Sequence, residues 1–200
     1  MSQIVYDFTS PRKIVFGWGR RRELGPLAAA LGRRALVVHG LPGDVAEPLL
    51  AELGVSLRAA GVEPVLAGQI LREPLVEDVD HLASQLRASG AGPGDVVLGL
   101  GGGAAIDLAK AVAAMAVETP SQSVREFLEG VGHAVRPSAT PLPVLAMPTT
   151  AGTGAEATRN AVIASYDPPF KKSLRDERIQ PAVALVDPEL TVTMPPEVTA

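Results

Sequence analysis

Short apolar runs alternate with amphipathic stretches from about residue 35 to residue 148, and few folds accommodate that rhythm. Ala35-Leu36-Val37-Val38, Val62–Leu66, Asp95–Gly99 and Pro143–Met147 have the length and branched side chains of buried strands. Between them, Leu49, Leu50, Leu53 and Leu57 recur at helical spacing, with Asp44 placed as an N-cap and Gly61 as a stop. Val76, Val79, Leu82 and Leu86 mark a second helix that stops near Gly90, and Ala104–Met115 reads as a third. Strands joined through helices lie parallel, because a parallel pair needs a long crossover and the helix then covers a face of the sheet. The expected class is α/β, a Rossmann-like parallel sheet flanked by helices.

The flanks are less regular. Ile4–Phe8 and Lys13–Phe16 read as strands broken by Thr9-Ser10-Pro11. Gly17-Trp18-Gly19 turns into a helix expected to run to about Leu31. Residues 120–141 suggest a short helix in a Pro- and Ser-rich loop, and Ala161–Ala164 and Ala182–Val186 are apolar runs without long helices between them. They add short strands or a hairpin to the sheet.

Composition narrows the function. Of 200 residues, 46% are hydrophobic and 20% charged, enough to bury one sizeable core. A net charge of −4 lacks the electrostatic footprint of a nucleic-acid binder. Arg20-Arg21-Arg22 is followed at once by Glu23 and reads as a solvated helix start. No apolar run approaches the roughly 18 residues of a membrane span. There is no cysteine, which excludes disulfides, thiolate catalysis and cysteine-ligated metals. Met1-Ser2-Gln3-Ile4 lacks the basic and apolar regions of a secretory leader, so a cytoplasmic protein is expected.

Two glycine-rich segments fall where such sheets bind ligands, beyond the carboxyl ends of strands. The first is Gly99-Leu100-Gly101-Gly102-Gly103-Ala104, which leads into the helix carrying Asp107 and Lys110. Glycines let backbone N–H groups approach a phosphate, and the helix adds unpaired donors and the positive end of its dipole. Gly99, Gly101 and Ala104 match the Rossmann fingerprint literally, but the acid expected about twenty residues on would be Glu118, which follows a helix and precedes Pro120. This is a different phosphate loop, or a tight strand-to-helix turn without a ligand. Asp107 and Lys110, three residues apart, could simply pair on the helix surface. The second segment, Pro148-Thr149-Thr150-Ala151-Gly152-Thr153-Gly154-Ala155-Glu156-Ala157-Thr158, clusters hydroxyls and glycines suited to a ribose, a phosphate or an amide.

Together these segments resemble the iron-containing (group III) alcohol dehydrogenase family. Gly101 to Lys110 is similar to its GGGSxxDxAK, and Pro148 to Thr158 to its PTTAGTGSEVT. Pro181 to Thr191 resembles its segment ending DPELT, and Met194-Pro195-Pro196 the LPP that follows. The resemblance implies a dehydroquinate synthase-like N-terminal domain binding NAD or NADP, followed by a helical domain holding iron or zinc through one Asp and three His. A small alcohol or aldehyde would be the substrate. Gly101, Gly102, Gly103 and Ala104 would hold the diphosphate, with Asp107 behind them. Thr149, Thr150, Thr153 and Thr158 would line the phosphate, ribose and nicotinamide, and Asn160, Val162 and Lys171 would cover the cofactor. Lys171 and Lys172 could equally be exposed hairpin cations.

The sequence also departs from the family. Ala104 and Ala155 replace serines, and His39-Gly40 stands where NAD-dependent members often carry an Asp for the adenine ribose. Without that carboxylate, Gly40 leaves room for NADP, and His39 either meets its 2′-phosphate or caps the strand end. Residues 1–195 are expected to form the nucleotide-binding domain, and 196–200 to open the helical metal domain. His39, His81 and His133 have no metal-ligand spacing, and Asp187 and Glu189 belong to a turn. The chain alone is therefore expected to bind nucleotide without turnover. A stand-alone nucleotide module is the alternative, and a maleylacetate reductase-like enzyme a lesser one. A homodimer is expected, with Ile4–Phe8 as a candidate edge.

Overall fold

The computed structural model describes residues 5–120, 122–133, 135–192 and 194. Six strands form one parallel sheet: β1 (Lys13–Phe16), β2 (Arg34–His39), β3 (Glu63–Gln69), β4 (Asp95–Gly101), β5 (Val144–Pro148) and β8 (Val183–Val186). Their order across the sheet is β1-β8-β5-β4-β2-β3, and each hydrogen-bonded pair is parallel. Two further strands, β6 (Asn160–Tyr166) and β7 (Pro169–Arg175), make an antiparallel hairpin. The α/β class and the additional hairpin agree with the expectation.

Four helices cover the sheet: α1 (Leu24–Ala29), α2 (Gly43–Ala59), α3 (Val76–Ala88) and α4 (Gly103–Met115). Alternation along β2 splits its side chains between two cores. Leu36 and Val38 join α3 and α4 on one face, while Ala35 and Val37 join α1 and α2 on the other. α4 is apolar nearly all round, and every residue from Ala105 to Met115 is buried. The sheet holds one side of it and β6 crosses the other. Its alanines permit that closeness. A Cβ added to Gly99 on β4 would stand 2.9 Å from the Ala109 Cβ.

Four expectations need correction. Val5–Phe8 forms no strand; it is exposed, and Ile4 lies outside the described residues. The sheet edge is instead β1, whose partner is β8. The helix expected from Gly19 to Leu31 is broken into a 3₁₀ turn at Arg20–Glu23 and the short α1. Asp44 does not cap α2: Pro42 takes the N-cap position and Asp44 sits in the first turn, where the dipole favours an acid. Arg21 is not a solvated cation. Its side chain is only 16% exposed and bridges Asp187, Glu189 and Glu52.

Asp187 stands in a turn, as the sequence suggested, and is fully buried there. It accepts hydrogen bonds from the amides of Gly19, Arg21 and Glu189, tying the end of β8 to the turn after β1. Among the described residues, no helix is long and apolar enough to cross a membrane. The expected boundary at 195/196 lies outside the described residues.

Candidate functional site

The carboxyl ends of β2, β4 and β5 meet at one edge. β4 runs into Gly101, whose φ of +143° favours glycine, and α4 starts two residues later. The Gly40 amide donates to the Leu100 carbonyl at 2.8 Å, and the Thr149 amide to Gly101 at 3.0 Å. Three loops are thereby laced together by main chain. Gly101 is required sterically, since a Cβ there would come within 2.9 Å of the Gly40 nitrogen, and Gly103 is tightly packed, a Cβ there standing 3.0 Å from the Thr153 methyl.

No side chain caps α4. The Ala105 and Ile106 amides donate to the Gly102 carbonyl, and no hydrogen bond to the Gly103 or Ala104 amide is found among the described residues. Two donors at the positive end of a helix of 13 residues are therefore left to a ligand or to solvent.

Two clefts flank this edge. The first, of about 780 Å³, has apolar walls: Leu41, Pro42, Val45, Pro48, Leu49, Leu190 and Val192, with Gly40 and Thr149 at its inner end. The second, of about 510 Å³, is lined by Gly102, Gly103, Ala104, Asp107, Thr153 and Thr158, with Asn160, Val162 and Lys171 from the hairpin. Thr150 belongs to both. Of the residues from Gly40 to Lys171 that the resemblance assigns to the cofactor, only Gly101 lines neither cleft. It packs behind them against Gly40.

Asp107 and Lys110 do pair, but not on the surface. Lys110 is fully buried and its Nζ lies 2.8 Å from Asp107 Oδ1. It donates to the Ala155 carbonyl at 2.9 Å, Thr158 Oγ1 at 3.2 Å and the Asn160 carbonyl at 2.5 Å. Asp107 Oδ2 accepts from the Val162 amide at 3.0 Å, while Oδ1 has charge compensation but no aligned hydrogen bond. Burial pushes the Asp107 carboxyl up and the Lys110 amine down, and their mutual attraction opposes both shifts. An isolated charge in this apolar helix would be prohibitive, and the pair makes it tolerable.

Lys171 lines the second cleft, is more than half exposed and pairs with Glu73 at 3.0 Å. His39 is buried, and its Nδ1 accepts the Leu41 amide at 3.4 Å. Burial pushes its pKa down, which favours a neutral ring. It lines neither cleft, and its bond from the Leu41 amide caps the strand end. Among the described residues no cluster of three potential ligands could hold a metal.

Sequence reasoning missed the carboxylates of the first cleft. Strand β2 ends without one, but Asp44, Glu52 and Glu189 all line this cleft, with Arg21 as its cation. Arg21 already serves Asp187, Glu189 and Glu52, and these partners raise its pKa further. Only the fold brings these groups together. For Lys110 a signal existed: a lone cation in the apolar run from Ala104 to Met115 needs a buried partner.

The family model of iron-containing alcohol dehydrogenases matches residues 11–188. Sulfoacetaldehyde reductase of Bilophila wadsworthia is 33% identical over 196 residues, covering 94% of this chain and 46% of that protein. NADPH-dependent butanol dehydrogenase of Clostridium saccharobutylicum is 33% identical over 193 residues, covering 96% of this chain and 47% of that one. The crystal structure of sulfoacetaldehyde reductase from Bifidobacterium kashiwanohense in complex with NAD+ superimposes with a TM-score of 0.81 at 29% identity, covering 98% of this chain and 50% of the other. This chain thus spans about half the length of the curated relatives it matches. With matching sequence over most of its length and a matching sheet, it belongs to the iron-containing alcohol dehydrogenase family.

Proposed function

We propose that the chain binds NAD or NADP across the two clefts and serves as the cofactor-binding part, residues 1–195, of a metal-dependent alcohol dehydrogenase or aldehyde reductase. One observation supports this reading: an apolar cleft and a more polar one share Thr150 beside two helix amides for which no hydrogen bond is found among the described residues. The apolar cleft suits an adenine ring between Leu41, Pro42, Leu49 and Leu190. The diphosphate would lie over Gly102, Gly103 and Ala104, where a larger residue would meet Thr150 or Thr153. The nicotinamide riboside would reach Thr158, Asn160, Val162 and Lys171.

The bound nicotinamide supplies hydride chemistry; this chain orients it and shields it beneath the hairpin. The described residues offer no ligand set for iron or zinc, so no step is assigned to a metal here. We place the metal and most substrate contacts in a further segment of the enzyme, where a small alcohol or aldehyde would bind, and we expect the enzyme to be a homo-oligomer. The names of the relatives support this substrate class and both nucleotides.

Fluorescence titration of the purified chain with NADH and NADPH tests the reading. Saturable binding of at least one is expected, and indifference to both at millimolar concentration would overturn it. The same chain should not turn over alcohols, and chelator-sensitive turnover would refute the division of labour.

A further inference from the structure

The geometry points to Lys110 as a positioning residue for the half of the cofactor that lies in the second cleft, an inference that rests on the nucleotide reading above. The walls of that cleft come from separate parts of the chain. One wall is the start of α4, Gly102 to Ala104; the other is Thr158 and the first residues of β6, Asn160 and Val162. Nothing in the covalent chain sets their separation, because they lie some fifty residues apart in sequence.

The buried pair spans that gap. From inside α4, Lys110 Nζ reaches the Ala155 carbonyl, Thr158 Oγ1 and the Asn160 carbonyl. One turn earlier on the same helix, Asp107 Oδ2 holds the Val162 amide. Four hydrogen bonds from two charged side chains thus fix the opposite wall at four successive points. Charged partners make such bonds stronger than neutral ones and tie their direction to the ammonium and carboxylate geometry. An apolar side chain could fill the same space but could not set the register of β6 against α4.

The first cleft contains neither residue, and its walls come from α2, the β2 and β5 loops and the turn after β8. Loss of Lys110 should therefore separate two ligands: NADH, which needs both clefts, and AMP, whose adenosine needs only the first. A general loss of stability would weaken both alike.

The experiment compares NADH titration with AMP competition for the unaltered chain, Lys110→Met and the double variant Asp107→Asn/Lys110→Met, which removes both buried charges. Lys110→Met should weaken NADH by about ten-fold or more while AMP changes by less than about two-fold. Unchanged NADH affinity in the folded variant, or equal losses for both ligands, would overturn the proposal. If the single variant does not fold, the double variant is judged by the same split. Hydrogen exchange on the unaltered chain gives a reading that needs no variant. The Val162 amide should exchange with the same opening free energy as the amides of α4, and much faster exchange would refute the strut. An unaltered chain that binds neither NADH nor AMP would instead refute the nucleotide site itself.

Discussion

The two clefts are neighbours at one sheet edge yet are built by opposite means. The first is made of side chains: leucines, prolines and two valines give it area, and Arg21 with its carboxylates adds charge. The second is made mainly of main chain, from glycines held close to threonines and a hairpin held down by buried charge. A wall of side chains can be resized by substitution without moving the backbone. A wall of amides cannot, because any added atom points into the ligand space or into the facing loop. The first cleft should therefore tolerate change and tune selectivity, whereas the second should either hold its ligand or fail.

The largest expected effect on binding attacks the second cleft. Gly103→Val places branched atoms where a Cβ already comes within 3.0 Å of Thr153, and should weaken NADH by about 100-fold, equivalent to about 2.7 kcal/mol. AMP competition should change far less, and equal losses would erase the distinction between the clefts. Next comes the rim of the first cleft. Asp187→Ala leaves Arg21 and three amides without their shared acceptor and should lower unfolding free energy by about 3 kcal/mol in denaturant titration. Burial alone would raise the Asp187 pKa, but the Arg21, Glu189 and Gly19 amides and the Arg21 side chain hold it below the usual carboxylate value. Its folded pKa being depressed, this contribution is present above the unfolded value near 3.8 and is lost as pH falls through the folded one. The Asp187→Ala penalty should thus shrink when melts are repeated in acid.

Ala104→Ser sharpens the comparison from the other side. It places a hydroxyl at the first turn of α4 and should tighten NADH by about 20-fold, or about 1.8 kcal/mol, within the roughly 1.5–3 kcal/mol of a hydrogen bond to a charged group. No gain would place the diphosphate elsewhere. The smallest effect belongs to Asp44→Asn, which removes one carboxylate from the first cleft. Exposed charge interactions reach about 1 kcal/mol, so the NADPH-to-NADH affinity ratio should rise by up to about five-fold at low salt. An unchanged ratio would remove Asp44 from cofactor selection.

Much of this architecture was legible because local pattern and fold agree. The central strands are short apolar runs, α3 shows a clean apolar stripe, and Gly61 and Gly90 both stop helices with positive φ. The two loops were legible from glycine and threonine content at strand ends. Other features were not, because they arise only when distant segments meet. Arg21 looks like one member of a basic run until Asp187, Glu52 and Glu189 close around it. Asp107 and Lys110 satisfy a local pairing rule, which conceals that β6 buries them. Val5–Phe8 has strand composition, but the described structure gives it no partner strand, and composition alone does not make a ladder.

The position of β8 between β1 and β5 bears on how the molecule is assembled. Among the described strands β1 emerges from the ribosome first, yet its hydrogen-bonding neighbour is the last of them to be made. Until residues 183–186 exist, β2 to β5 can form while the earliest segment waits with Val15 outside the core it will join. Closing so long a loop is slow, and the waiting strand is open to wrong pairings. Shielding of residues 13–16 during synthesis should govern the yield of correctly folded protein more than any contact in the central sheet.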